Sequence, residues 1–324
     1  MTNADTPAQP PLNGWARLTD RVMARISGPG TDKFVQGQFS QNVDEVTPTC
    51  SLRAAACTPK GRAYCLTRLV RDGDDLLLCF DRAFAEETIR HLNKYLMLFR
   101  GTTLEQLDSG RILGLVGVDT ATEIAGPAAG DLTAPGQVAR TGDGFLIRVE
   151  DDSDHKARFE FWQSNATETS PAGRELPLQA WHATEISAGV PWLSARTKEA
   201  YVPQMLNLQH LQGIHFKKGC YTGQEVIARM HFLGQLKKSL YRLAFADCDF
   251  VPEAGTRLMS GTRAVGEVVN AVASADRSGE LLAVIRHDAA AAPLALEGYE
   301  QGRLTVLTLP YPVPEREQAD TADT

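Results

Sequence analysis

The 324-residue chain has no two cysteines at C-x-x-C spacing. Its six, at positions 50, 57, 65, 79, 220 and 248, therefore support neither a zinc ribbon nor a thioredoxin-type redox motif. It lacks any apolar run near the ~18 residues that span a bilayer, so no membrane partner is expected. It also lacks net positive charge. Thirty-three Lys+Arg stand against forty Asp+Glu, a formal −7, which argues against a globally basic nucleic-acid binder but leaves room for a local basic patch. Aromatic residues interleaved with basic ones are scarce, which counts against a module that binds nucleic acid directly. The opening MTNADTPAQPP has no basic start followed by an apolar stretch. It reads as a floppy leader and not a signal peptide, so a cytoplasmic protein without structural disulfides is expected.

What is present suits a protein with real cores: 43% apolar and 23% charged residues. A strand is expected around Val22–Ile26, then a Gly-Pro-Gly turn, then a helix over DKFVQGQF capped by Thr31 or Asp32. SLRAAAC and RAYCLTRLV read as strands joined by the turn Thr58-Pro59-Lys60-Gly61, and DLLLCF as a third strand after the turn at 72–75. Asp81 could cap a helix whose apolar face is Ala85, Ile89, Leu92, Leu96 and Phe99. A second block begins near Ile112. ILGLVGV, FLIRVE and ARFEFWQ read as strands, the last alternating Phe159 and Phe161 with polar neighbours. TATEIAG is a short helix, and another near Leu178–Ile186 ends at Gly189. The two blocks share a rhythm, which allows two similar halves, but no sequence repeat matches them. From Leu240 short apolar segments between Gly, Pro and Asp read as a small β-barrel. The fold class is α+β. The expected units are a disordered leader 1–11, α+β units over 12–110 and 111–238, a β-barrel over 239–309 and a disordered acidic tail over 310–324.

One stretch carries chemistry: Lys217-Lys218-Gly219-Cys220-Tyr221-Thr222-Gly223-Gln224-Glu225. Thr222 and Glu225 have capping-box spacing, so a helix is expected from about Gly223 to about Gly234. Cys220 then sits just before the positive end of that helix with lysines two and three residues upstream. A thiol so placed is expected to be partly thiolate at neutral pH. The flanking glycines leave the backbone open to a ligand. Plainer readings stay open. Glu225 could serve the capping box alone, or pair with Arg229 four residues on. Lys237 and Lys238 could be a solvated face, and Cys220 a buried thiol. From 217 to 238 five Lys and Arg residues face Glu225 alone, a local +4 that marks an anion-binding surface.

The segment VPQMLNLQHLQGIHFKKGCYTGQEVIARMHFLG resembles the signature of the YgfZ family of folate-binding proteins, relatives of the glycine-cleavage T-protein (aminomethyltransferase). The likeness extends to FVQGQFSQNV, to the Pro59-Lys60-Gly61-Arg62 turn and to EISAGVP at 185–191. The resemblance implies a T-protein-like ring, two α+β domains and a C-terminal β-barrel around a central cavity. It implies tetrahydrofolate or a derivative as ligand, iron–sulfur proteins or their assembly machinery as partners, and indirect support of tRNA methylthiolation. Carried over by position, it makes Cys220 the acting thiol and Lys218 its basic neighbour. Tyr221, Gln224, Glu225 and Arg229 would lie on one wall of the cavity, and Gln38, Gln41 and Asn42 on the opposite wall, with Arg62 also binding the cofactor. No metal ligands are implied. The family's aminomethyltransferase relatives carry an acid where this chain has Gly61-Arg62-Ala63-Tyr64-Cys65-Leu66. That puts the alternative function, a folate-dependent one-carbon (aminomethyl-type) transferase, in doubt and leaves enzymatic activity open.

Overall fold

A computed structural model of the chain describes residues 13–313 except 143, 167–169, 275–276 and 300–301. The expected leader, and the tail beyond 313, lie outside the described residues.

Three antiparallel sheets organise the chain. β1 (Gly14–Arg17) leads to β2 (Arg21–Ser27) and α1 (Thr31–Gln38). β3 (Leu52–Cys57), β4 (Ala63–Asp72) and β5 (Asp75–Asp81) follow, then α2 (Ala85–Leu96) and β6 (Thr103–Gln106). The first sheet has the order β3-β4-β5-β2-β6. Its β4–β5 hairpin turns through Gly73, and Arg25 on the neighbouring β2 donates to both Asp72 and Asp75 at 2.8 Å. The expected face of α2 is the one that packs: Ala85, Leu92 and Leu96 are buried, with Ile89 and Phe99 against the same core.

Two expected caps do not form. The N-cap of α1 is Gly30, whose N–H donates to Thr102 Oγ1 at 2.8 Å, while Thr31 Oγ1 donates back to Gly28 O. The N-cap of α2 is Phe84, because Asp81 lies too far upstream and accepts from Ala83 N instead. In both places a neighbouring residue supplies a partner that helix-start rules do not see.

The second sheet is β1-β7-β10-β9-β8, built from β7 (Arg111–Val116), β8 (Val138–Thr141), β9 (Gly144–Val149) and β10 (Arg158–Gln163). Segment 12–110 thus gives its first strand to the sheet of 111–238, with Trp15 opposite Leu115. α3 (Val118–Ala125) covers one face and α4 (Leu178–Ser187) the other. Gly114 is needed beneath α4, where a Cβ would stand 2.4 Å from the Trp181 ring. Covered on both faces, β10 is buried along its whole length, charged residues included, so the expected half-exposed alternation is absent. α4 ends in a Schellman pattern: Gly189 (φ +68°) donates to Ile186 O and Val190 to Glu185 O.

After α5 (Gln224–Phe232) the chain is β-structure: β11 (Lys238–Ala246), β12 (Arg257–Ser260), β13 (Arg263–Ala273), β14 (Gly279–Arg286), β15 (Ala295–Leu296) and β16 (Arg303–Leu307). They form one curled sheet, β15-β12-β13-β14-β11-β16, whose two end strands touch. The start of the expected disordered tail is in fact packed. Tyr311 donates to Gly189 O at 2.6 Å and stacks on His210, so an aromatic anchor overrides the proline-rich composition. Among the described residues no helix is long and apolar enough to cross a membrane.

Candidate functional site

The motif loop is fixed by backbone-to-backbone packing. Gly223 is the N-cap of α5 with φ +86° and no side-chain cap, so the capping box of Thr222 and Glu225 does not form. Thr222 N donates to Gly37 O at 3.1 Å, and Glu225 is exposed. A Cβ on Gly223 would stand 2.6 Å from Thr58 O, and one on Gly61 2.8 Å from Val226 Cβ. Gly223 is therefore filled by the 58–61 turn of the chain itself, not kept open for a ligand. Gly219 has no heavy atom within 4 Å of its Cβ position, and beside it Cys220 is exposed.

Lys218 is buried. Its ammonium donates to three carbonyls, Gln36 O and Phe39 O at 2.7 Å and Gln41 O at 2.6 Å, which accounts for its three N–H bonds. A cation suits this place, the carbonyl end of α1, where helix C=O groups lack intrahelical donors. Burial pulls its pKa down to about 7. The expected pairing of Lys218 with the thiol is thus replaced by a clamp: Lys218 ties the cysteine loop to α1. Its Nζ also lies 4.9 Å from the ring centre of Tyr221, which is buried with its phenol pushed up by that burial.

The other selected residues gather round the same clamp. Gln38 is the buried last residue of α1. Gln41 is buried and donates to Arg53 O at 3.2 Å and Gln212 O at 2.5 Å, while its Oε1 accepts from Asn42 N. Asn42 joins Gln36 and Glu45. Gln224 donates to Lys218 O at 3.2 Å, and Arg62 reaches Ala200 O. Glu225 and Arg229 are exposed, one turn apart on α5. Among the described residues, no group of three or more His, Cys, Asp or Glu side chains could hold a metal ion.

A charged hollow lies where β2 to β5 meet β10 and α4, and none of the ten residues selected from the sequence lines it. Its lining comes from β2 to β5, from Glu160 on β10, from Glu185 on α4 and from residues 190–193. Asn270 on β13 holds Trp192 through both backbone groups, joining the third sheet to this wall. The lining is densely charged. Arg21 pairs with Glu160 at 3.0 Å and with Glu185. Arg53 forms a bidentate pair with Glu150 at 2.6 and 2.7 Å, and Arg68 approaches the same carboxylate at 3.4 Å. A second hollow shares Arg53 and Arg68 and adds Glu150 and Gln212.

Burial works against the charge on Glu150, but Arg53 and then Arg68 hold its carboxyl far below the usual carboxylate range. Burial, and after it Arg53, lowers Arg68. Near the rim Asp20 meets His182 at 2.9 Å, and His182 stacks on Trp192. Burial raises Asp81. Three buried polar atoms of this lining have no hydrogen-bond partner among the described residues: Asp20 Oδ1, Arg68 Nε and Glu185 Oε2. Such atoms are costly unless something pairs with them. Sequence reading missed this set because its members come from separate elements. The available signal was the charges inside apolar strands, as in LRAAAC, CLTRLV and RFEFWQ.

Three antiparallel sheets, with a charged cavity lined by strands of the first two, give a glycine-cleavage T-protein-like fold. The structure is similar to the glycine cleavage system aminomethyltransferase T from Bartonella henselae, with a TM-score of 0.72 at 14% identity over 93% of this chain and 86% of that one. No family model matches the chain. In sequence it is similar to the tRNA-modifying protein YgfZ of Shigella dysenteriae serotype 1 and that of Escherichia fergusonii. Each is 32% identical over 308 residues, which cover 92% of this chain and 93% of the relative. The chain belongs to the YgfZ family.

Proposed function

We propose that the protein binds a reduced folate in the central cavity and acts, through Cys220, as an accessory factor for the assembly or repair of iron–sulfur proteins. Its link to tRNA is indirect, through iron–sulfur enzymes that methylthiolate it, a context in keeping with relatives named tRNA-modifying protein. The observation that carries the folate reading is the unpartnered Glu185 Oε2, on a side chain 2% exposed, with Asp20 Oδ1 and Arg68 Nε in the same lining. The amino–imino edge of a pterin offers adjacent N–H donors to a carboxylate, and its oxo group accepts from a guanidinium. When bound, tetrahydrofolate supplies a one-carbon carrier. Glu185, Asp20 and Arg68 orient it, and the Arg53–Glu150 pair keeps its charge balance on the neighbouring wall.

Calorimetric titration with tetrahydrofolate and its 5-formyl derivative tests this reading. Glu185→Gln removes one charge-assisted acceptor and is expected to weaken binding about tenfold or more. Unchanged affinity in that variant, or no binding by the native protein, overturns the assignment.

The role given to Cys220 is supported by its exposure on a loop clamped at both ends. A cluster usually takes four ligands, so one cysteine implies a partner that supplies the others. The alternative, an aminomethyl-type transferase, is favoured by the fold alone. It predicts turnover with tetrahydrofolate and an amine donor, and binding without turnover excludes it.

A further inference from the structure

The end of α5 leaves unusual apolar surface uncovered: Phe232 is 53% exposed and Leu233 85%. Val226, Met230 and Leu233 line a groove on this face, with Glu225 and Arg229 at its side. Val226 is also the residue on which Gly61 packs, so the turn carrying exposed Lys60 borders the groove. Exposed Lys217 precedes the groove along the chain and exposed Lys237 follows it. An apolar slot whose flanking segments carry Lys60, Lys217, Arg229 and Lys237 against Glu225, on a protein of formal charge −7, is a local reversal of sign.

We propose that this groove docks a partner protein through an acidic segment bearing one apolar side chain, which seats against Met230 and Leu233 while its carboxylates meet Lys60, Lys217 and Lys237. Seated there, the partner lies beside the loop that presents Cys220. An RNA ligand fits less well. Phe216 and His231 stack face to face at 3.7 Å, and Phe232 meets both rings nearly edge-on, so these aromatic faces are turned on one another and not toward bases. The slot is aliphatic and thioether in character. The surface stands apart from the cavity and holds whether or not the cavity binds folate.

The test is fluorescence anisotropy of a labelled short peptide, a central leucine flanked by Asp and Glu, titrated with the full-length protein. Saturable binding that weakens as salt rises is expected. Leu233→Asp, and separately leucine-to-serine in the peptide, should each weaken it about tenfold. Lys60→Glu combined with Lys237→Glu should reverse the preference toward a Lys-flanked peptide. The proposal is overturned if no binding is seen, if Leu233→Asp binds like the native protein, or if single-stranded RNA competes more strongly and depends on Leu233. It is also overturned if sedimentation shows a dimer that Leu233→Asp dissolves, since a second copy is then the occupant. Leu233→Asp should keep native melting and tetrahydrofolate affinity. Loss of peptide binding with folate binding intact bears on the groove, and the converse result bears on the cavity.

Discussion

Gly223→Ala is a sharp test of how the cysteine loop is held. Gly223 has φ +86° and ψ −1°, a left-handed conformation that costs an L-residue with a Cβ about 1–2 kcal/mol. The new methyl would also stand 2.6 Å from Thr58 O and 3.1 Å from Cys57 Cβ, and the first of these atoms is backbone and cannot swing aside. Overpacking of this kind adds about 1–3 kcal/mol. The expected loss is therefore roughly 2–5 kcal/mol, a melting temperature lower by roughly 3–7 °C in a chain of this length. The same motif supplies its own control. Gly219, one residue before the cysteine, has nothing within 4 Å of its Cβ position and no positive φ. Gly219→Ala should stay within about 0.5 kcal/mol of the native protein. Calorimetric melting of the two variants side by side decides the matter. Equal melting of Gly223→Ala and the native protein, or equal losses in both variants, would refute the packing argument.

Three further outcomes follow from the same geometry. Cys220→Ser should melt within about 0.5 kcal/mol of the native protein, because the residue is exposed, yet fail to restore iron–sulfur enzyme activity in cells lacking the protein. Lys218 has a folded pKa of about 7, below the ordinary lysine value of 10.5, so between those pH values the unfolded chain binds more protons. Stability should rise with pH across that window by up to about 1.4 kcal/mol per unit, and urea midpoints of Lys218→Met should lose that slope. Glu150→Gln leaves Arg53 and Arg68 without their shared carboxylate and should cost about 3–5 kcal/mol in urea unfolding. In the native protein this carboxylate has a depressed pKa, so its contribution is full above the unfolded value and lost as pH falls below it.

The elements that local chemistry specifies were legible in the sequence. The α2 face, the β3–β4 turn and the glycine end of α4 follow from side-chain spacing and backbone conformation within a few residues. Caps were less legible, because Thr102 and Ala83 supply partners that N-cap residue preferences do not encode. The KGCYTGQE segment stands out by composition, and the structure does place Cys220 on the surface. The environment of Lys218 could not be read, since its carbonyl partners lie about 180 residues earlier in the chain. Nor could the charged cavity. Arg21, Arg53, Arg68, Glu150, Glu160 and Glu185 have no common spacing, and only the tertiary fold brings them together. A buried Arg in an apolar strand is the one local hint, because such a charge must find a partner across the core.

The pairing of Trp15 with Leu115 sets a timetable for synthesis. When the first sheet's own strands have all left the ribosome, β1 still has no edge to join, and its indole stays uncovered until β7 emerges. A nascent chain halted at the 110/111 boundary would carry an orphan strand at its start and a gap in the unit not yet made. The two α+β units thus mature as an interlocked pair, and expressing either alone would yield a fragment prone to self-association.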